Sequence, residues 1–398
     1  MHYCFLNMAI EFYSPVSGGA ISTIIRHVGR ELLRGGHRVT VLTRVNDDPV
    51  HSVGEVVPLA FDGRAVRGRL RRAVALLHQK WQGWELTEYG AYRRAFTDAL
   101  RALPQPPDVV VAFNDFVASR HVKQVCPGAR TLVWLQNECY PRSHPDKLTG
   151  WTDHFITCSD YIRDWTMRRW HLAGERVTTI LNGVDTGAFT PAPWFPRRPW
   201  PELRVLYIGR LDPSKGVDLA VEAVRRLRAE GRDVRFAFAG PVWWHGVKTE
   251  TDPYYRRLKA ATEAIGGEYL GRLDREQVPG VLREYDAVCV LSRSEDPCPL
   301  VLSEAMACGC VVIGTRRGGI PQACGKGATL VDPDNADQVA AALREFADDP
   351  DALLDARRRA FARGRTLSWT AQTQTVERLA APCSAPGWQP STLRACLP

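Results

Sequence analysis

Nowhere in this 398-residue chain do about eighteen apolar residues run together, which argues against a membrane-spanning helix. Residues 1–10 lack the charged start, long apolar run and small-residue cleavage site of a secretory leader; they read as a first strand, with the cytoplasm as the expected compartment. The eleven cysteines are odd in number and scattered, several inside apolar runs such as 287–291. No two form a Cys-x-x-Cys pair, and Cys308 and Cys310 stand too close for half of an ordinary zinc site. Buried, reduced thiols are therefore expected, and a structural metal is not. A net charge of +8 raises the question of nucleic acid, but arginine is spread along the chain. With no helix-turn-helix, zinc-finger or aromatic ribonucleoprotein signature, no nucleic-acid partner is expected.

Length alone suggests about two domains with substantial cores. Short apolar runs at 38–43, 108–112, 130–134, 154–157, 234–238, 286–290 and 311–314 alternate with amphipathic stretches such as 21–34 and 217–229. Strands apolar throughout, separated by helices, predict an α/β protein with parallel sheets covered on both faces. Ligands of such sheets lie beyond the carboxyl ends of the strands. Between 191 and 201 five of eleven residues are proline, a composition that resists helix and sheet and suits a semi-rigid spacer. The division predicted is a first Rossmann-like domain at 1–189, a linker at 190–201, a second domain at 202–364, a helix returning to the first domain at 365–382, and a tail at 383–398.

Chemistry is concentrated in residues 294–310, where Asp296, in a Pro-rich turn, precedes Glu304, on an apolar helix, by eight residues. A turn entering a helix presents unpaired backbone N–H groups and a positive dipole end, which favours an anion such as a phosphate ester. Carboxylates repel phosphate but accept hydrogen bonds from sugar hydroxyls, so the combination suggests a sugar nucleotide. Taken alone, the same residues equally suit a loop and a core helix. Upstream, the run 204–208 reads as a strand, Gly209 permits a tight exit, and Arg210 and Lys215 supply a planar fork and a mobile point charge suited to a diphosphate.

These two segments resemble the donor-site signatures of retaining glycosyltransferase family four, nucleotide-sugar enzymes with the two-Rossmann-domain GT-B fold. Residues 14–23 resemble the family's N-terminal glycine loop, and 180–189 its Asn-Gly-Val-Asp element. Gly271-Arg-Leu-Asp274, Leu291-Ser-Arg-Ser294 and Gly318-Gly-Ile-Pro321 fall where the family places them. The resemblance implies a GT-B fold whose sheets face an interdomain cleft, and transfer of a hexose-type sugar to a hydroxyl of a glycan, glycolipid or small-molecule glycoside, with no cofactor and no metal. It implies a donor site of Gly18, Gly19, Gly209, Arg210, Lys215, Arg272, Asp296, Leu300, Val301 and Glu304. Tyr13, Gln136 and Asn137 fall on the acceptor side, and Arg210, Lys215, Asp296 and Gln136 nearest the chemistry. The acceptor pocket is expected between about residues 50 and 140.

Three positions depart from the family pattern. Asp296 stands where Glu is usual, shortening the reach by one methylene. Pro299 replaces Gly and has no N–H, leaving backbone contacts to Leu300 and Val301. Gln136 stands where His is common; it orients a hydroxyl but does not ionise. A sugar-nucleotide epimerase or hydrolase of the same fold, or a catalytically silent binding subunit, are the alternatives. Five arginines between 64 and 72 precede Val74, Leu77, Trp81 and Trp84, which continue an apolar stripe begun at Val66 and Leu70. Such a basic amphipathic helix suits docking on its own domain, peripheral contact with an anionic membrane surface, or an acidic acceptor.

Overall fold

The computed structural model describes residues 1–61, 88–139, 149–242 and 249–381; the basic stretch 64–84 and the tail 383–398 lie outside the described residues. Among the described residues, thirteen strands form two wholly parallel sheets. The first contains β1 (His2–Leu6), β2 (Arg38–Thr43), β3 (Glu55–Pro58), β4 (Val109–Phe113), β5 (Arg130–Leu135), β6 (His154–Thr157) and β7 (Val177–Thr179), in the order β3-β2-β1-β4-β5-β6-β7. The second contains β8 (Leu203–Ile208), β9 (Val234–Ala239), β10 (Glu268–Tyr269), β11 (Ala287–Val290), β12 (Val311–Thr315) and β13 (Ala328–Val331), in the order β10-β9-β8-β11-β12-β13. These are two Rossmann-like domains. Every residue of β1, β4, β11 and β12 is buried, as helices on both faces require.

In both sheets the strand order reverses beside the first strand, between β1 and β4 and between β8 and β11. Loops leaving neighbouring strands at such a point diverge and open a crevice. This topology sets the loop after β8 beside the loop after β11. The first carries Arg210 and Lys215, the second Asp296.

The domains share more than a hinge. One apolar cluster runs from Val133, Leu135 and Phe155 of the first sheet to Val288, Leu302 and Met306 of the second domain. The helix Trp369–Ala380 returns to the first domain: Trp369 stacks on His27 with ring centroids 5.6 Å apart, Thr370 donates to Glu31 at 2.8 Å, and Glu377 meets His37 at 3.1 Å. The Pro-rich segment is anchored rather than free-standing. Arg198 and the Trp200 indole both donate to Oδ2 of the fully buried Asp286, at 3.4 and 3.0 Å. The other oxygen, Oδ1, pairs with buried Arg357 at 3.0 Å.

Candidate functional site

Strand β8 ends at Ile208, and Gly209 turns the chain so closely past its neighbour that a Cβ on Gly240 would lie 1.8 Å from the Gly209 carbonyl oxygen. The Tyr207 hydroxyl donates to the Arg210 carbonyl at 2.6 Å, and Asp212 caps the short turn Pro213–Lys215 through Ser214 N–H at 2.7 Å. Gly216 closes that turn at φ +67°, packed where a Cβ would meet the Leu291 carbonyl. The result aims Lys215 across the switch point: its Nζ lies 2.5 Å from Asp296 Oδ2. Ser292 Oγ donates to the same oxygen at 2.9 Å.

The turn carrying Asp296 is held from beneath by the Gly318-Gly319 pair. Gly319 N–H donates to the Asp296 carbonyl at 2.9 Å, and a Cβ on either glycine would collide with backbone of 296–297. Glu295 bonds Gly318 N–H and pairs with Arg317 at 3.0 Å, so this acid braces the loop. Pro299 then leads into the helix Leu300–Ala307, which has no side-chain cap and no acid in its first turn. The Leu300 and Val301 N–H groups have no acceptor within the helix, which leaves its positive end uncapped, four residues after Asp296.

Glu304, one turn further along and 3% exposed, is ion-paired through Oε1 with Arg275 Nη2. The Arg275 guanidinium lies over the Phe189 ring, 5.2 Å from its centroid. Arg272 of the same loop, expected at the donor site, reaches across the cleft to the Val16 carbonyl in the glycine loop. Both arginines lie in one turn three residues apart, and spacing does not tell which faces the helix.

Across the cleft, Gly18 N–H donates to the Ser14 carbonyl at 3.0 Å. Gly19 and Ser22 N–H groups donate to Glu11 Oε1 at 2.8 and 2.7 Å. The start of the helix Ala20–Arg34 therefore already holds an anion, the chain's own carboxylate. Burial pushes the Glu11 carboxyl up, against these hydrogen bonds. The N–H groups of Gly18 and Gly19, expected at the donor site, thus have internal acceptors in the structure. Glu11 escaped the sequence reading because a lone acid eight residues before the glycine carries no spacing signal.

Gln136 is buried at the end of β5; its N–H donates to Asn114 Oδ1 at 2.7 Å and its Oε1 accepts from Asn182 Nδ2 at 3.0 Å. Asn182 Nδ2 also donates to the Cys298 carbonyl at 2.9 Å, tying Gln136 through Asn182 to the loop that carries Asp296. Gln136 Nε2 and Asn182 Oδ1, one donor and one acceptor, are buried with no partner among the described residues. Asn137 is exposed. Tyr13, placed on the acceptor side by sequence, is a core residue instead: 1% exposed, its hydroxyl donates to the Val53 carbonyl at 3.0 Å and its ring meets His51 edge-on.

Among the described residues no three or more His, Cys, Asp or Glu side chains are grouped to hold a metal ion, and no helix is long and apolar enough to cross a membrane. The acids Asp332 and Asp334 pair with Arg316 and Arg293.

Residues 18–188 match Glycosyltransferase Family 4, and residues 194–365 match Glycosyl transferases group 1. The chain is 28% identical to a glycogen synthase of Mycobacterium tuberculosis over 92% of its own length and 90% of that protein. It is 27% identical to a phosphatidyl-myo-inositol mannosyltransferase of Mycolicibacterium smegmatis over 96% and 95%. The fold superimposes on sucrose-phosphate synthase from Thermosynechococcus elongatus with a TM-score of 0.71 at 19% identity, covering 95% of this chain and 98% of that one. With both halves matched and both sheets in place, the chain belongs to glycosyltransferase family four, an enzyme family of GT-B fold.

Proposed function

We propose that the protein is a retaining hexosyltransferase that moves a sugar from a nucleoside-diphosphate sugar to an acceptor hydroxyl, on a glycan, a glycolipid or a small-molecule glycoside. The observation that carries this reading is the pairing of Lys215 with Asp296, in the loop that leads into the uncapped start of Leu300–Ala307. Cation and open N–H groups suit a diphosphate, and the acids beside them suit hydroxyls. As the anomeric carbon leaves, negative charge on the diphosphate is stabilised by Arg210, Lys215 and the Leu300 and Val301 N–H groups. The acceptor oxygen enters on the face the diphosphate leaves, and a phosphate oxygen takes the acceptor proton. No protein nucleophile and no metal enter this scheme.

The unpaired Gln136 and Asn182 amide atoms support a hydroxyl on the acceptor-facing side of the transferred sugar. Both curated relatives are named for glycosyl transfer, one to glycogen and one to a phosphatidylinositol lipid. A peripheral contact with anionic lipid through the basic stretch 64–84, from the cytoplasmic side, belongs to the same reading when the acceptor is a glycolipid.

The test is a panel of nucleoside-diphosphate sugars, scored for diphosphate release with and without acceptors, with the product's anomeric configuration read by NMR. Acceptor-dependent release with the donor's configuration is expected. Acceptor-independent release would instead establish a hydrolase or epimerase, and tight binding without turnover a silent subunit.

A further inference from the structure

Arg293 stands in the loop after β11, three residues before Asp296, and its hydrogen bonds go to other segments of the second domain. Its backbone N–H donates to the Ser214 carbonyl at 2.7 Å, and its Nη1 to the Pro213 carbonyl at 2.5 Å. Nη1 and Nη2 also meet the two oxygens of Asp218 as a fork, at 2.8 and 2.6 Å. Nε bonds Asp334, in the turn after β13. One residue thus joins the loops that follow β8, β11 and β13.

What it joins is a turn with little hold on itself. Pro213–Lys215 is a single 3-10 turn, too short to satisfy its own last carbonyls. From within the loop, the Pro213 carbonyl receives the Gly216 N–H at a long 3.3 Å. Arg293 adds the bonds to Pro213 and Ser214, as basic side chains do at helix ends. The second anchor is Asp218, in the first turn of the helix Val217–Ala229, where the Tyr254 hydroxyl also donates to its Oδ1 at 3.1 Å. Lys215 lies between the two anchors.

Four of the five guanidinium N–H groups are taken up by these bonds, so Arg293 is spent on the protein rather than on a phosphate. Lys215 is a point charge on a flexible stem, and its reach depends on where its backbone is set. A misplacement of about 1 Å at such a group is enough to cost much of its effect.

We propose that Arg293 is a positioning residue of the donor site: by clamping the Pro213–Lys215 turn to Asp218 it fixes where the Lys215 ammonium stands, and so how tightly a diphosphate is held. This rests on the donor-site reading above and deepens it. The shape of the clamp matters as well as its charge, because the planar fork meets both Asp218 oxygens at once. A lysine at this position keeps the charge and loses the fork.

The experiment measures binding of UDP, GDP, ADP and CDP to the purified chain by calorimetry. The tightest of these is then titrated into Arg293→Lys, Asp218→Asn, Lys215→Ala and the double variant of Arg293→Lys with Lys215→Ala. Arg293→Lys is expected to weaken binding about tenfold, and Asp218→Asn, which keeps the anchor's shape but not its charge, by a smaller factor. In the Lys215→Ala background the Arg293→Lys change should cost less than about twofold, because the cation it positions is gone. An equal loss in both backgrounds, the result for an arginine that only stabilises the domain, overturns the proposal. Wild-type affinity in Arg293→Lys overturns it too. Should Arg293→Lys not fold, Asp218→Asn with and without Lys215→Ala makes the same comparison. Wild-type affinity in Lys215→Ala, or no binding of any of the four nucleotides, would instead remove the donor-site reading itself, so the two failures are distinguishable.

Discussion

Lys215 and Asp296, 81 residues apart in sequence, meet at 2.5 Å because β8 and β11 are neighbours at the point where the strand order reverses. Each side chain keeps some access to solvent, 18% for the lysine and 10% for the aspartate. The pair thus holds a cation at the switch point of the second sheet without burying it. Truncating one member does more than delete a charge, since the other is left unbalanced beside the ligand.

Lys215→Ala is therefore expected to lower kcat/KM for the donor by about thirtyfold or more, corresponding to about 2 kcal/mol or more for a charged hydrogen bond lost at a desolvated site. Asp296 would then keep only Ser292 as a partner, with its charge unbalanced. Adding Asp296→Asn should recover part of that loss, so that the double variant falls well short of the product of the single effects. Steady-state kinetics on the three variants checks this, and strict multiplicativity would show that the two residues act independently.

Gln136→Ala should slow turnover far less than Arg210→Ala. A neutral amide orients one hydroxyl, whereas a cation facing the leaving diphosphate meets charge that grows in the transition state. The comparison is made at saturating donor; a larger effect from Gln136 would move the weight of the chemistry to the acceptor side.

How much of this was readable beforehand depended on how local the determinant is. The two parallel sheets were legible because apolar strands alternate with amphipathic helices along the chain, and the loops that bring Lys215 to Asp296 follow two of those strands. The strands β3, β7, β10 and β13 carried little signal, being short or partly exposed along their length. What could not be read were pairings that exist only after folding. Glu11 fills the glycine-loop N–H groups, Arg275 rather than Arg272 reaches Glu304, and Asp286 gathers Arg198 and Trp200 from a stretch whose prolines suggested a spacer.

That last cluster yields a stability prediction. Asp286 accepts from Arg198, Trp200, the Arg204 N–H and Arg357 while fully buried, and Arg357 is 1% exposed. Asp286→Ala strands a buried guanidinium and three further donors, an arrangement that typically costs 3–5 kcal/mol, about half of a domain's stability. A large fall in melting temperature is expected, with the linker made accessible to limited proteolysis near Arg197 and Arg198. A melting temperature within a few degrees of wild type would show that water replaces the carboxylate.

Acid sensitivity follows from histidines that burial holds neutral, His2 and His51 among them. Burial, reinforced by nearby arginines, pushes the His27 imidazole down to about 3, and those of His121 and His154 to about 4. In the unfolded chain each protonates near 6.5, so below that pH the unfolded state binds protons that the native state refuses. Their stabilisation is whole above pH 6.5 and is lost progressively as the pH falls toward 4, at up to about 1.4 kcal/mol per pH unit for each histidine. Glu11 works in the opposite sense, because burial raises its carboxyl and the native state gains its proton first. Asp185 and Asp218, held low by Arg30 and Arg293 despite burial, weaken only at the acid end of this window. Denaturant midpoints should therefore drop steadily between pH 6.5 and 5, before most carboxylates titrate. His154, whose Nε2 lies 2.8 Å from Thr178 Oγ1, offers the cleanest control: His154→Gln keeps a polar group there but cannot take up a proton. Its stability curve should be shallower than wild type across that interval; an identical slope would mean that His154 is not held neutral by the fold.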